Sequence, residues 1–375
     1  MRIGYEAKRA FLNTTGLGNY SRGVISMMAS YYPDNQYFLY TPKIVADKRI
    51  DLIKAYPQVT TITPQVKLFT SLWRSRFVVN DLKRDDIQLY HGLSHELPVG
   101  IHRSGIKSVI TIHDLIFMRY PQYFGYISRK IYKAKIKYAC KHADRIIAIS
   151  ERTKEDLVEL LNLDPDKIEV IYQDCDKSFK IKQSAQKKAE VSAKYKLPEK
   201  FILHVGTIEE RKNLWLLVKA FRLLPGDAQL VVIGRPTDYV KKIEQYINEH
   251  ELAGRILFIQ NADFTDLPAI YQLAEIFIYP SRYEGFGIPI LEALVSGTPV
   301  IAATGSCLEE AGGPDSLYVN PDDEVELSEK IQSLLGNPLH QQTMIAKGLQ
   351  YTRKFEDKKL SEQLMNVYQN VLNHA

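Results

Sequence analysis

The stretch IFIYPSRYEGFGIPILEALVSGTPVIAA, residues 276–303, holds two short apolar runs around a helical one. IFIYPS (276–281) and PVIAA (299–303) read as buried strands and 288–296 as the helix between them. Pro289 suits the first turn of that helix, where its missing N–H costs no hydrogen bond. Gly285 and Gly287 lie between the first strand and the helix. They let the backbone turn tightly and let a ligand approach bare N–H groups at a helix N-terminus, which favours anions. Glu284 in this loop and Glu292 about one turn into the helix then offer acceptors to different parts of one ligand.

The same alternation of strand and helix recurs in two series. The first contains RIGYE (2–6), YFLYT (37–41), VKLFT (66–70), IQLYHG (87–92), SVITIH (108–113), RIIAIS (145–150) and KIEVIY (167–172), with helices expected at 18–30, 125–142 and 151–162. The second contains FILHVG (201–206), QLVVIG (229–234), ILFIQ (256–260) and the two strands already named, with helices at 213–224, 237–251 and 265–273. Near-continuous apolar strands alternating with helices form parallel sheets covered on both faces, so two doubly wound α/β domains facing across a cleft are expected. The assigned boundaries are 1–175 for the first domain and 201–355 for the second, with the polar, Lys-rich 176–200 as linker. An amphipathic C-terminal helix at 356–375 is expected to pack back on the first domain.

Composition narrows the function. With 375 residues, 45% hydrophobic and 25% charged, the chain fits a globular two-domain protein, and no apolar run reaches the ~18 residues of a membrane span. The start MRIGYEAKRA carries no signal core, and Cys140, Cys175 and Cys307 form no C-x-x-C pair. A cytoplasmic location is the expectation, with no disulfide framework, no metal site and no nucleic-acid partner. Residues 1–175 hold 26 Lys and Arg against 18 Asp and Glu, whereas the rest holds 23 against 26. The first half therefore faces phosphates or an anionic membrane surface. The bias is sharpest at SRKIYKAKIKYACKH (128–142), beside which LWRSRF (72–77) also suits an interface.

Three further motifs carry chemistry. In HVGTIEERKNLWLLVKAF (204–221), Arg211 and Lys212 fall between a strand and a helix, where two cations suit an anionic ligand. In NTTGLGNYSRG (13–23), Gly16 and Gly18 open a helix after the first strand. In TIHDLIFMRYPQYF (111–124), His113 and Asp114 end a strand. The triplets Asp164-Pro165-Asp166 and Asp174-Cys175-Asp176 have the metal-binding D-x-D form, but the first lies in a turn and the second at the expected linker.

With E-G-F-G-I-P-I-L-E at 284–292, the chain resembles glycosyltransferase family 4, retaining enzymes of the GT-B fold with an E-x7-E motif. The resemblance covers essentially the whole length. It implies transfer of a hexosyl group from a nucleotide diphosphate sugar, GDP-mannose or a UDP-hexose, to a hydroxyl of a glycan or lipid-linked acceptor in surface polysaccharide or glycoconjugate synthesis. It also implies that Glu284 contacts hydroxyls of the donor sugar, that Glu292 binds the ribose, and that the backbone of Phe286, Gly287 and Ile288 meets the sugar and diphosphate. Gly206, Arg211 and Lys212 then bind the donor, Gly16 and Gly18 lie near its phosphate, and His113 contacts the sugar through the matched H-D-x6-P pattern ending at Pro121. Members often carry a basic residue directly after the first glycine of the G-T segment, where this chain has Thr207. No cofactor and no metal are implied, and the Glu284→Ala change is expected to abolish transfer with the fold intact. The competing readings are a non-catalytic nucleotide-sugar-binding module, a sugar-nucleotide epimerase of the same fold, and a dinucleotide-dependent oxidoreductase. The last requires an acid at the end of the second strand, and YFLYT ends without one.

Overall fold

The computed structural model describes residues 1–45, 48–65 and 69–373. They form two compact units, Met1–Asp174 with the segment from Phe355 onwards, and Cys175–Lys354.

The first unit contains β1 (Arg2–Glu6), β2 (Gln36–Tyr40), β3 (Val59–Ile62), β4 (Leu89–Gly92), β5 (Lys107–Ile112), β6 (Arg145–Ala148) and β7 (Ile168–Val170), in one sheet of order β3-β2-β1-β4-β5-β6-β7. The second contains β8 (Ile202–Val205), β9 (Leu230–Ile233), β10 (Ile256–Ile259), β11 (Ile276–Tyr279), β12 (Val300–Ala303) and β13 (Leu317–Val319), ordered β10-β9-β8-β11-β12-β13. Every strand pair is parallel. Central strands such as β4, β9, β11 and β12 are buried along their whole length, as a sheet with helices on both faces requires. In each sheet the order reverses beside the first strand, between β1 and β4 and between β8 and β11. The crevice outside the carboxyl ends at such a reversal is where doubly wound sheets bind ligands.

Two sequence expectations need correction. Of the strand expected at 66–70, residues 66–68 lie outside the described residues. Phe69 sits in left-handed backbone, and Thr70 opens a helical turn. The strand at the edge of the first sheet is instead Val59–Ile62, whose half-exposed Thr-containing sequence lacks the apolar run of a buried strand. The expected linker 176–200 is built into the second unit, where helix Ala185–Tyr195 is tied down by its own basic residues. Asp266, buried, accepts from Lys187 Nζ at 2.6 Å, Lys194 Nζ at 2.7 Å and Tyr195 OH at 2.9 Å.

The last helix, Asp357–Asn373, belongs to the first unit. Leu360, Leu364, Tyr368 and Val371 form a buried stripe at helical spacing. Tyr368 OH lies 2.6 Å from His91 Nδ1 on β4 and 3.3 Å from Tyr5 OH on β1.

Candidate active site

At the carboxyl end of β11 the chain turns through Pro280–Gly287 before helix Ile288–Val295. Gly287 has φ of 118°, a backbone conformation that favours glycine, and a Cβ there would press on Leu308 Cδ2 at 3.1 Å. Opposite this loop, the chain leaving β8 makes a 3-10 turn at Glu210–Lys212. Arg282 N–H donates to Arg211 O at 2.9 Å, which fastens the two loops together.

Glu284 lies between the loops. Its Oε1 accepts from Lys212 Nζ at 2.6 Å, Ser281 Oγ at 2.7 Å and Tyr279 OH at 2.9 Å, and its Oε2 lies 2.8 Å from Arg211 Nη1. The three charged side chains are only 11–15% exposed. Burial disfavours the carboxylate charge, but Lys212 and then Arg211 outweigh it and hold Glu284 well below the usual carboxylate range. Arg211 also donates to Glu209 Oε1 at 2.6 Å and to the Tyr283 carbonyl. Three donors saturate Oε1, so Oε2 keeps acceptor capacity for a ligand hydroxyl. The buried part of the cluster, two cations and one carboxylate, carries net positive charge at the sheet reversal.

Glu292, on the helix that follows, is in a different environment. It is buried, and its recorded hydrogen bond is from Tyr271 OH at 3.0 Å to Oε2. Burial pushes its carboxyl up to about 8, with Asp176 adding to the rise and the Tyr271 bond opposing it. The E-x7-E pair thus consists of one carboxylate held ionised by cations and one held largely neutral by burial.

In the first unit, His113 follows β5 and is buried. Its Nε2 is 2.9 Å from Leu93 O, which makes Nε2 the protonated nitrogen and leaves Nδ1 as an acceptor. Its backbone N–H donates to His95 Nε2 at 2.9 Å, and its carbonyl accepts from Thr153 Oγ1 at 3.2 Å. Burial, reinforced by His95, pulls its imidazole down to about 3, so the ring is a neutral polar contact and a poor base near pH 7. Gly16 is the first residue of helix Gly16–Tyr31. A Cβ on Gly16 would meet nothing within 4 Å, whereas one on Gly18 would lie 1.8 Å from the Asn13 carbonyl oxygen. Gly18 N–H is already donated to Asn13 Oδ1 at 3.2 Å.

Comparison with known proteins bears directly on this arrangement. The family model for glycosyl transferases group 1 matches residues 186–351, and that for Glycosyltransferase Family 4 matches residues 34–176. The chain belongs to glycosyltransferase family 4. It is 28% identical to O-antigen chain mannosyltransferase B of Escherichia coli over 285 residues, 75% of this chain and 74% of that one. To O-antigen chain mannosyltransferase RfbU of Salmonella typhimurium it is 31% identical over 228 residues, which span 61% of each protein. The crystal structure of HepE from Anabaena with UDP and glucose superposes with a TM-score of 0.76 at 18% identity, covering 99% of this chain and all of the other. The fold is GT-B.

This glycosyltransferase places Arg211, Lys212 and Glu284 in one hydrogen-bonded cluster and Glu292 apart from it, beside Tyr271. Phe286 is buried, and Gly206 donates its N–H to Ile233 O at 2.9 Å. The two D-x-D triplets serve local structure. Asp164 accepts from Asp166 N–H and Asp176 from Ser178 N–H, both at 2.9 Å. Sequence reasoning missed Tyr279, Ser281 and Tyr271, which hold the two glutamates, and His95, which holds the His113 backbone from a left-handed conformation of φ 63°. It also missed Glu6 at the carboxyl end of β1, whose carboxyl burial pushes upward. The one available signal was position, since Glu6, Tyr279 and Ser281 each end or follow a strand at a sheet reversal.

Proposed function

We propose that this glycosyltransferase moves a mannosyl unit from GDP-mannose to a glycan or lipid-linked hydroxyl, with retention, during surface polysaccharide synthesis. The observation that carries the donor half is the Arg211–Lys212–Glu284 cluster at the β8/β11 reversal. Arg211 and Lys212 stabilise the charge that develops as the anomeric carbon–phosphate oxygen bond breaks. Oε2 of Glu284, which Arg211 alone engages, accepts a sugar hydroxyl, Glu292 receives the ribose, and the backbone of Phe286, Gly287 and Ile288 meets the diphosphate at the helix N-terminus. His113 supplies a neutral acceptor to the sugar, and Gly16 and Gly18 act near the donor phosphate. The acceptor oxygen attacks the face the diphosphate leaves, and its proton passes to the departing phosphate oxygen. Two protein cations supply the charge that a metal ion provides elsewhere, so transfer proceeds with chelator present. The choice of mannose follows the two O-antigen chain relatives, both named mannosyltransferases; HepE, solved with UDP-glucose, marks UDP-hexoses as the second donor to test. The basic first unit is assigned a peripheral contact with an anionic membrane at the cytoplasmic face.

The test is a thermal-shift screen against GDP, UDP, ADP and their sugar conjugates, followed by donor turnover with and without chelator. A rise confined to the guanosine series, together with slow GDP-mannose hydrolysis in the absence of acceptor, supports the reading. Binding without any hydrolysis or transfer favours a non-catalytic module, and a shift with UDP conjugates alone reassigns the donor.

A further inference from the structure

A line of polar groups runs through the interior of the first unit from the last helix to His113. Tyr368 on helix Asp357–Asn373, His91 on β4 and Thr111 on β5 are fully enclosed, and Tyr20 on helix Gly16–Tyr31 is 9% exposed. Apolar side chains fill such places without having to be satisfied, whereas polar ones are costly there unless each finds a partner. Each does. His91 Nδ1 lies 2.6 Å from Tyr368 OH, His91 Nε2 lies 2.8 Å from Thr111 Oγ1, and Thr111 Oγ1 lies 3.0 Å from Tyr20 OH. The line ends on His113, whose ring meets that of Tyr20 edge-on, with centroids 4.6 Å apart and planes at 88°.

The protons in this line have one direction. Burial pulls the His91 imidazole down to about 3, so the ring is neutral and carries a single N–H. Tyr368 donates its own proton to Tyr5 OH at 3.3 Å, so its oxygen is the acceptor for His91 Nδ1–H. His91 Nε2 is then an acceptor and takes the Thr111 proton, and Thr111 Oγ1 in turn accepts from Tyr20 OH. With the opposite His91 tautomer, Nε2–H would donate to Thr111, Thr111 would turn its proton towards Tyr20, and the Tyr20 hydroxyl would lose its acceptor. A buried network of this kind is satisfied as a whole or not at all.

We propose that Tyr368 is a positioning residue for His113: it fixes the tautomer of His91, which orients Thr111 and Tyr20, and the Tyr20 ring sets the angle at which the imidazole presents its acceptor Nδ1. The last helix thereby acts on the sugar contact as well as closing the core of the first unit. The role rests on the reading of His113 as a contact to the donor sugar.

The experiment combines kinetics with nitrogen-15 histidine spectra of the full chain, the His91 signals being assigned from His91→Asn. The probe is hydrolysis of GDP-mannose without acceptor, or of UDP-glucose where only the uridine series binds. Tyr368→Phe keeps the ring and removes the acceptor of Nδ1–H. It is expected to move His91 to the Nε2–H tautomer and to lower kcat by roughly tenfold or more, as misplacement of a contacting group does. The GDP-induced thermal shift should stay as in the parent, because GDP carries no sugar for His113 to meet. Added to His113→Ala, the same change should cost no further kcat, since one residue acts through the other. Thr111→Val breaks the line without touching the last helix and should lower kcat by a similar factor. Val371→Ala, buried on that helix, controls for loosening: it should lower the melting midpoint and leave the His91 tautomer and kcat unchanged. An unmoved His91 tautomer, a parental kcat in Tyr368→Phe or Thr111→Val, or a full further loss on top of His113→Ala overturns the proposal. An active parent with an unaffected Tyr368→Phe refutes the positioning role alone, whereas a parent that hydrolyses neither donor removes the transfer reading and this role with it.

Discussion

Replacing Glu284 by Gln keeps the shape of the side chain and removes its charge from between Arg211 and Lys212. At 14–15% exposure, the two cations are left desolvated and facing an amide. Breaking a buried ion pair by removing one partner costs about 3–5 kcal/mol, and the residual exposure together with Glu209, which still holds Arg211, brings the expected loss to ~2–4 kcal/mol. Urea or thermal denaturation of the parent and variant measures it. The freed cations should also bind a nucleoside diphosphate more firmly, so saturating GDP is expected to raise the midpoint of the variant more than that of the parent while transfer is lost. Glu284→Ala should lose at least as much stability as Glu284→Gln. A Glu284→Gln protein as stable as the parent, with an unchanged nucleotide response, would refute the account of the cluster as a coupled, charge-compensated unit. A double substitution with Lys212→Met gives a second check, because coupled residues depart from additivity by about 0.5–3 kcal/mol.

Glu292→Gln gives the opposite sign, with a pH dependence. The native carboxyl titrates near 8, above its usual range, so its contribution is fully present below about pH 4.5 and is lost as pH rises through 8. The amide cannot ionise, and ligand-free Glu292→Gln should therefore exceed the parent in stability at pH 9 by on the order of 2–4 kcal/mol, with little difference at pH 5, as followed by denaturation at both pH values. The glycines of the first unit separate by steric room. Gly16→Ala should leave the melting midpoint nearly unchanged, whereas Gly18→Ala, with its Cβ placed 1.8 Å from a backbone oxygen, should cost at least ~2 kcal/mol.

Legibility in the sequence followed burial and locality. The 276–303 segment was readable because strand, glycine-bracketed turn, Pro289 and helix each carry a local signal that agrees with the others. Val59–Ile62 and Leu317–Val319 escaped because both are short edge strands, half exposed, without the apolar run that marks a central strand. The linker assignment at 176–200 rested on a polar, Lys-rich composition, whereas Lys187, Lys194 and Tyr195 converge on one buried aspartate some seventy residues away in the chain and build the stretch into the second unit. Arg211, Lys212 and Glu284 stood out through motif spacing. The hydroxyls that orient the acids, Tyr271 and Tyr279, did not, since a tyrosine in a helix or at a strand end looks like core until its partner is seen.

The return of helix Asp357–Asn373 to the first unit has a consequence for the protein during synthesis. His91, buried on β4, receives Tyr368 only after the second unit has been translated. A ribosome therefore delivers the pieces of the second unit as one uninterrupted length, while the first unit waits with an uncovered apolar seam for its last helix. The first unit is therefore completed only after the second has been made, so a stop codon anywhere in the second unit would damage the first.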